Sequence, residues 1–444
     1  MARLFGTDGI RGVANADLTP ELVFRVGRAA GAVLGSAGGA FLVGRDTRLS
    51  GPMLEAALAA GLCSVGASVA LGGILPTPAV AFLARQAAAC GVVISASHNP
   101  VEDNGVKLFG PDGFKLPDAT EDAIEVALDR TDLARPTGTA MGAVRSLPDA
   151  ESRYLAHLAA LSHAPLTGMK IVVDCAFGAA VYIAPRLWAH LGATVIAIHA
   201  EPDGARINVA CGSTHLEPLR AAVRAHGADL GLAHDGDADR VLAVDERGHE
   251  VDGDALLGIC AVDRNHRGRL AAGTVVATVM SNVGLEQALT ASGIRLDRTR
   301  VGDRYVLERM RELGATLGGE QSGHLIFLDH TTTGDGLVTA IELTNVMTRS
   351  GRRLSELRAG IPRYPQVLVN VPVRARDGVT DDPQVARAVA AAEARLATRG
   401  RILVRPSGTE PLVRVMVEAE HQGEAEDLAA DIAAVIAARH GATS

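Results

Sequence analysis

One pattern constrains the fold of this chain more than any other: a succession of strand, helix, strand, helix and strand that occurs three times. The first copy reads as strand 40–43, helix 51–62, strand 65–71, helix 79–88 and strand 91–94. The second runs through strand 170–174, helix 179–191, strand 194–199, helix 217–226 and strand 229–233. The third has strand 274–279, helix 283–292, strand 294–297, helix 305–313 and a strand at 315–317. Small pairs (Gly66-Ala67, Gly192-Ala193, Gly227-Ala228, Gly314-Ala315) stand between a helix end and the next strand, where a left-handed cap is needed. Alternating strands and helices imply mainly parallel sheets with right-handed crossovers, whose ligands bind beyond the carboxyl ends of the strands. Each copy closes there with a polar loop: residues 95–100, 235–240 and 319–324.

After Pro362 the pattern changes to a strand at 367–373, a helix at 383–397, strands at 401–404 and 413–417, and a helix at 424–439. In that last helix Leu428, Ile432, Val435 and Ile436 form one buried face, and Gly441 stops it. The expected fold class is α/β: three similar βαβαβ domains with mainly parallel sheets plus a C-terminal α+β domain. The expected boundaries are 1–151, 152–251, 252–365 and 366–444.

A formal charge of −8 leaves no global basic field for a nucleic acid or an anionic membrane. The five cysteines are far apart and form no C-x-x-C pair, which excludes a disulfide framework or zinc ribbon and suggests a cytoplasmic protein. Residues 56–84 carry no charge, yet Gly61, Gly66, Gly72, Gly73, Pro76 and Pro78 break them into buried α/β elements rather than a membrane span. Only Lys107, Lys115 and Lys170 are lysine among the 43 basic residues, so each surviving lysine merits attention.

Asp235, Asp237 and Asp239 leave a strand at spacing two. In an extended segment alternate residues point the same way, so three carboxylates can converge on one hard cation. An EF-hand would also place Glu246 at its twelfth position, but Arg240 stands where that loop requires glycine, and both flanks look like strands. Three ligands from one loop leave sites open, which suits magnesium sharing a phosphate oxygen; the alternative is a solvated acidic turn. At the equivalent strand end of the first copy, Ser97 lies beside His98 and ten residues before Lys107. No G-x-S-x-G elbow surrounds that serine, so it reads as an oxygen that could carry a phosphoryl group to the metal. Arg405-Pro406-Ser407-Gly408-Thr409-Glu410-Pro411, with Arg414, is either a plain hairpin turn or an anion nest flanked by two guanidinium forks. Gly319-Glu320-Gln321-Ser322-Gly323-His324 offers groups suited to sugar hydroxyls, and residues 5–12 and 44–48 add polar turns.

The four loops, in this order over essentially the whole chain, resemble the α-D-phosphohexomutase family. Phe5-Gly6-Thr7-Asp8-Gly9-Ile10-Arg11-Gly12, Asp103-Asn104-Gly105-Val106-Lys107, Val301-Gly302-Asp303-Arg304 and Glu320-Gln321-Ser322-Gly323 are similar to its amino-sugar branch. Mannose and glucose relatives usually carry another residue at the position of Gln321. Val101-Glu102 departs from the family, where an aromatic residue is frequent after the proline. The resemblance implies four domains around a central cleft and a phosphoserine at Ser97. It also implies one Mg2+ on Asp235, Asp237, Asp239 and the Ser97 phosphate, Glu320, Ser322 and His324 on the sugar, and Arg405, Ser407, Gly408, Thr409 and Arg414 on the other phosphate. The implied reaction interconverts glucosamine 6-phosphate and glucosamine 1-phosphate through a 1,6-bisphosphate, on the route to UDP-N-acetylglucosamine and cell wall. A hexosamine or hexose 1,6-bisphosphate is the expected activator, and a phosphosugar the expected partner, with a homodimer admitted.

Phosphoserine and three aspartates outweigh one magnesium, so nearby cations are required, and Arg240, Arg11 and Lys107 can supply them. For the proton of the attacking hydroxyl, Lys107 is the first candidate, its pKa expected to be lowered by neighbouring cations, and His98 the second. The first alternative is a phosphomannomutase/phosphoglucomutase activity of the same family; a metal-dependent phosphosugar phosphatase or a phosphosugar-binding regulator could also use the same pocket.

Overall fold

Runs of apolar β-branched residues with no polar alternation fill strands that are covered on both faces. Cys90–Ile94, Leu230–His234, Val241–Asp245 and Thr274–Thr278 are buried along their whole length. The structure is a computed structural model, and it describes residues 3–6, 8–35, 39–407 and 410–442. Contacts divide the chain into two compact units, Met1–Met280 with Ser292–Gly360, and Ser281–Ala291 with Ile361–Ser444.

The larger unit holds three sheets, one for each predicted repeat. The first orders its strands Ile10–Val13, Asp103–Phe109, Cys90–Ile94, Ala40–Arg45, Ser68–Ile74 and Val144–Ser146. The second orders Glu250–Val251, Val241–Asp245, Leu230–His234, Lys170–Asp174 and Thr194–Ile198. The third orders Arg295–Thr299, Thr274–Thr278, Leu317–Gly319 and Leu325–Phe327. The three strands of each repeat pair in parallel, as expected. Each sheet then adds a strand that folds back antiparallel after the polar loop: Asp103–Phe109 on Cys90–Ile94, Val241–Asp245 on Leu230–His234, and Leu325–Phe327 on Leu317–Gly319. The sheets are therefore mixed, and all three polar loops are the tips of equivalent hairpins.

The small-residue caps behave as expected, with Gly66, Gly192, Gly227 and Gly314 all at positive φ. Several boundaries move. The helix expected from residue 179 is Ile183–His190, because Ala176 and Phe177 are left-handed and the chain first turns close against the second repeat's polar loop. The strand expected at 65–71 is Ser68–Ile74. Helix Pro20–Leu34 carries one buried face, with Val23, Val26, Ala29 and Ala30, but two other long helices, Gly253–His266 and Gly336–Ser350, carry no stripe that would announce them. The first twelve residues of the last are buried on every side, which erases a one-faced period. The uncharged run resolves into helix Gly51–Cys63, strand Ser68–Ile74 and helix Thr77–Ala87. No helix among the described residues is long and apolar enough to cross a membrane.

In the smaller unit three antiparallel strands, Gln366–Pro372, Leu412–Ala419 and Gly400–Pro406, pack against helices Pro383–Leu396 and Gln422–His440. Helix Val283–Ala291 belongs to this unit; its first N–H donates to the buried Glu418 Oε2 at 2.9 Å.

Candidate active site

Ser97 sits at the tip of the first hairpin, fully buried and left-handed at φ 53. A β-region serine at this point would continue the strand, so the conformation has to be held by its surroundings. Ser95 Oγ accepts from the Ser97 N–H at 2.9 Å and donates to Asp46 Oδ2 at 2.6 Å. Arg48, itself buried and paired with Asp46, donates to the carbonyls of Ser97 (3.0 Å), Asn99 (2.8 Å) and Asp103 (2.8 Å). The turn at 44–48 is thus the clamp of the serine loop. With its backbone fixed, Ser97 donates from Oγ to Asp235 Oδ2 at 2.5 Å.

Asp235, Asp237 and Asp239 converge as expected, with one oxygen from each lying within 4.8 Å of the others. The extended segment expected there is instead a tight turn: Ala238 is left-handed at φ 56 and its N–H donates to Asp235 O at 3.1 Å. The carboxylates meet because the chain curls around them, not because alternate residues share a face. Gly236 permits the curl's position, since a Cβ there would stand 2.5 Å from Ser97 O. Asp237 Oδ1 and Asp239 Oδ1 are buried without hydrogen-bond partners. Burial raises the pKa of Asp235 well above the usual range, and repulsion from Asp239 and Asp237 adds to it. A buried, oxygen-only donor set with two carboxylate oxygens left without hydrogen bonds fits a hard divalent cation.

Lys107 reaches this cluster from the returning strand Asp103–Phe109, with Nζ 2.7 Å from Asp237, 2.9 Å from Asp8 and 3.7 Å from Asp239. The expectation of a lowered lysine pKa fails here. Burial does work against the charge, but the carboxylates of Asp237, Asp8 and Asp239 more than offset it and raise the pKa. His98 goes the other way: burial, then Arg240 and Arg11, push it down to about 4, so the imidazole is neutral, with Nδ1 3.4 Å from Ser97 Oγ. Arg11 donates to Asn99 Oδ1 at 3.1 Å and pairs with Asp8, and Arg240 lies 3.8 Å from Asp239.

Sequence reasoning gave no role to Asp8, Lys115 or Asp303 in this network, and named His324 only for the sugar side. Asp8 is held well below its ordinary range: burial opposes its charge, but Lys107, Lys115 and Arg11 outweigh that cost. Lys115 bridges Asp8 and Asp303 at 2.5 Å each. The scarcity of lysine was the signal that could have found it. His324 is buried between Asp239 (3.6 Å) and Asp303 (3.4 Å); burial opposes its proton, yet the two carboxylates raise its pKa to about 9. A cavity of about 430 Å³ opens over these groups, lined by Arg11, His98, Asp239, Arg240, Glu320 and His324 among others. Glu320 faces it from the third hairpin, its Oε1 accepting from the Gly302 N–H at 3.2 Å and its Oε2 lying 3.5 Å from Ser322 Oγ.

In the smaller unit, Arg405 and Arg414 are direct cross-strand partners, and burial followed by Arg414 lowers the pKa of Arg405. Like charges in that register destabilise a sheet. Ser407 closes the hairpin by donating from its N–H to Leu412 O at 2.9 Å, and the Glu410 N–H donates to Ser407 Oγ at 3.4 Å. These two N–H groups are engaged within the turn, unlike those of an open nest. Gly408 and Thr409 lie outside the described residues.

Comparison with known proteins agrees with this geometry. Residues 2–135, 152–248 and 252–364 match alpha/beta/alpha domains I, II and III of the phosphoglucomutase/phosphomannomutase family, and residues 368–435 match its C-terminal domain. The phosphoglucosamine mutase of Saccharopolyspora erythraea is 57% identical over 443 residues, covering 99% of this chain and 100% of the relative. That of Moorella thermoacetica is 56% identical over 437 residues, covering 97% and 98%. Among solved structures, a phosphoglucomutase/phosphomannomutase family protein from Burkholderia thailandensis superimposes with a TM-score of 0.82 at 26% identity, covering 98% of this chain and 97% of that one. Aspergillus fumigatus N-acetylphosphoglucosamine mutase, solved with GlcNAc-6P and magnesium, shares the fold at a TM-score of 0.70 and 20% identity, covering 98% and 95%. Matched in all four of its domains and over nearly its full length, the chain belongs to the phosphoglucomutase/phosphomannomutase family, the α-D-phosphohexomutases.

Proposed function

We propose that the protein interconverts glucosamine 6-phosphate and glucosamine 1-phosphate, with Ser97 as the carrier of the phosphoryl group. The observation that carries this reading is the buried Ser97 Oγ donating into a cluster of three carboxylates, two of whose oxygens have no hydrogen-bond partner. The identity to phosphoglucosamine mutases supports the choice of sugar. In the first half-reaction the free sugar hydroxyl forms a bond to phosphorus as the bond to Ser97 Oγ breaks, giving the 1,6-bisphosphate and a free serine. In the second, the opposite phosphate returns to Ser97 Oγ. A trace of hexosamine or hexose 1,6-bisphosphate would recharge a serine that has lost its group.

Asp235, Asp237 and Asp239, with the phosphate on Ser97, would hold Mg2+, which when bound supplies Lewis-acid stabilisation of the phosphoryl oxygens. Arg11, Arg240 and Lys107 offset the remaining negative charge. Neutral His98, beside Ser97 Oγ, is the group that accepts the proton and returns it to the leaving oxygen, whereas Lys107, held charged by its carboxylates, keeps its proton and acts as a fixed cation. Glu320, Ser322 and His324 are assigned to the sugar side, and Arg405, Ser407, Gly408, Thr409 and Arg414 to the distal phosphate. We assign the four parts of the chain to 1–151, 152–251, 252–365 and 366–444.

The test is a coupled assay of glucosamine, glucose and mannose phosphates side by side, with a trace of 1,6-bisphosphate, together with peptide mapping of the purified protein. The expected results are preference for the amino sugar and a gain of about 80 Da on Ser97 from one phosphoryl group. Full turnover by Ser97→Ala, or steady release of inorganic phosphate instead of isomer, would overturn the reading.

A further inference from the structure

The chain around Ser97 is held by a second clamp, from a different repeat than Arg48. In the second repeat two short segments adopt left-handed backbone at non-glycine residues: Ala176 and Phe177 after strand Lys170–Asp174, and His199, Asn208 and Ala210 after strand Thr194–Ile198. Such conformations cost free energy at each position and persist only where the surroundings enforce them. The enforcement is visible. Asp174, buried at the strand end, accepts from the Ala176 N–H (2.9 Å) and the Gly212 N–H (3.0 Å), with His199 Nδ1 3.0 Å away. Phe177 N–H donates to His199 O at 2.8 Å, and Asn208 N–H to Ala176 O at 3.1 Å.

The strained crossing delivers one side chain to the serine loop. Asn208 Nδ2 donates to Ser97 O at 2.9 Å and is 3.3 Å from Asn99 O, the two carbonyls that Arg48 also holds. Gly236 leaves room for this approach, because a Cβ there would stand 3.0 Å from Asn208 Nδ2. Asparagine suits the position twice, as a residue that tolerates φ of 61 and as an amide donor. We infer that Asn208 is a positioning residue for phosphoryl transfer: with Arg48 it fixes the carbonyls flanking Ser97, so that Oγ faces the aspartate loop.

This inference rests on Ser97 being the phosphoryl carrier, so the experiment separates the two. Wild type, Asn208→Gly and Asn208→Asp would be charged with 1,6-bisphosphate, and the single-turnover rate of transfer from Ser97 to glucosamine 6-phosphate measured beside KM and kcat. Glycine keeps the left-handed backbone and removes only the amide; aspartate keeps the shape but sets a charge against two carbonyls. Misplacement of a reacting atom by about 1 Å costs about 100-fold in rate, so both variants should transfer 10- to 100-fold more slowly, with KM changed by less than about two-fold. A purely structural residue would lower the folded fraction and leave the rate per folded molecule intact. If either folded variant transfers at the wild-type rate, Asn208 has no positioning role while Ser97 remains the carrier. If wild-type protein takes no phosphate on Ser97, the carrier and this inference fall together.

Discussion

Replacing Asp237 by asparagine removes one charge from the aspartate loop while keeping its shape, and the consequences for folding and for metal binding should differ sharply. Asp237 Oδ2 accepts from Lys107 Nζ at 2.7 Å and from Thr77 Oγ1 at 2.6 Å, whereas Oδ1 has no partner. An asparagine oxygen can keep both of the Oδ2 bonds. Its amide then occupies the place of Oδ1 and presents donors where a cation needs an acceptor. Without metal the loss is small, since Lys107 keeps Asp8 at 2.9 Å and Asp239 at 3.7 Å and the repulsion on Asp235 is relieved. We expect a stability change within about 1 kcal/mol. For metal, one unit charge removed at about 4 Å from a divalent ion, with an effective dielectric of about 20, corresponds to about 8 kcal/mol, or roughly a million-fold in affinity, as an upper limit. Recovered desolvation reduces this, so a hundred-fold weaker site is the expectation. The assay is the magnesium dependence of turnover, paired with thermal denaturation with and without the ion, because a bound metal raises the midpoint by mass action. The same half-saturating magnesium in wild type and Asp237→Asn would refute the metal site and return the loop to a solvated turn.

Other changes test neighbouring parts. Asp335, which caps helix Gly336–Ser350 and accepts from Tyr154 Oη at 2.6 Å, has its pKa pushed up to about 6 by burial, against the opposing pull of that hydrogen bond. A folded pKa above the unfolded one gives stability that is present at pH 4 and lost as pH rises through 6, so Asp335→Asn should gain up to about 3 kcal/mol on wild type between pH 4 and pH 8, read by urea denaturation; no pH-dependent difference would contradict it. Gly236→Ala places a methyl 2.5 Å from Ser97 O, and we expect turnover to fall at least ten-fold with magnesium still bound, measured by calorimetry and coupled assay. Arg414→Gln removes the like-charge partner of Arg405, so folding stability should hold within about 0.5 kcal/mol or rise, while both directions of isomerisation slow; a loss of stability with normal rates would mark the hairpin as structural.

What the sequence disclosed was local. The left-handed caps at Gly66, Gly192, Gly227 and Gly314 follow from the chemistry of one residue, and the aspartate loop from a spacing of two. Ser97 was found because its strand end is equivalent to that loop. Helices Gly253–His266 and Gly336–Ser350 were not legible, since burial on all sides leaves no polar face to give a period. The geometry of the aspartate loop was misjudged because a single left-handed alanine, Ala238, decides it, and no propensity marks alanine for that conformation. The sign of the Lys107 shift was also out of reach, as its partners Asp8 and Asp237 stand 99 and 130 positions away.

That distance reflects how the site is divided among the repeats. Of the countercharges only Arg240 stands in the loop of the aspartates; a loop that carried them all would neutralise itself and leave nothing to hold a cation. Here the second repeat supplies the carboxylates and Arg240, the first supplies Lys107, Lys115 and Arg11 from the Ser97 side, and the third supplies His324 with Asp303. Unpaired buried charges are costly, and Lys107 with Asp237, Lys115 with Asp303 and His324 with Asp239 are each paired across two repeats, so these contacts form fully only when the sheets of all three repeats are assembled. The same division leaves Asp237 Oδ1 and Asp239 Oδ1 without hydrogen-bond partners even in the assembled unit, because the lysine and histidine approach the other oxygen and Arg240 comes no nearer than 3.8 Å to Asp239 Oδ1. The network is therefore closed on the protein side and open on the side of Ser97, where the reacting phosphate and its cation belong.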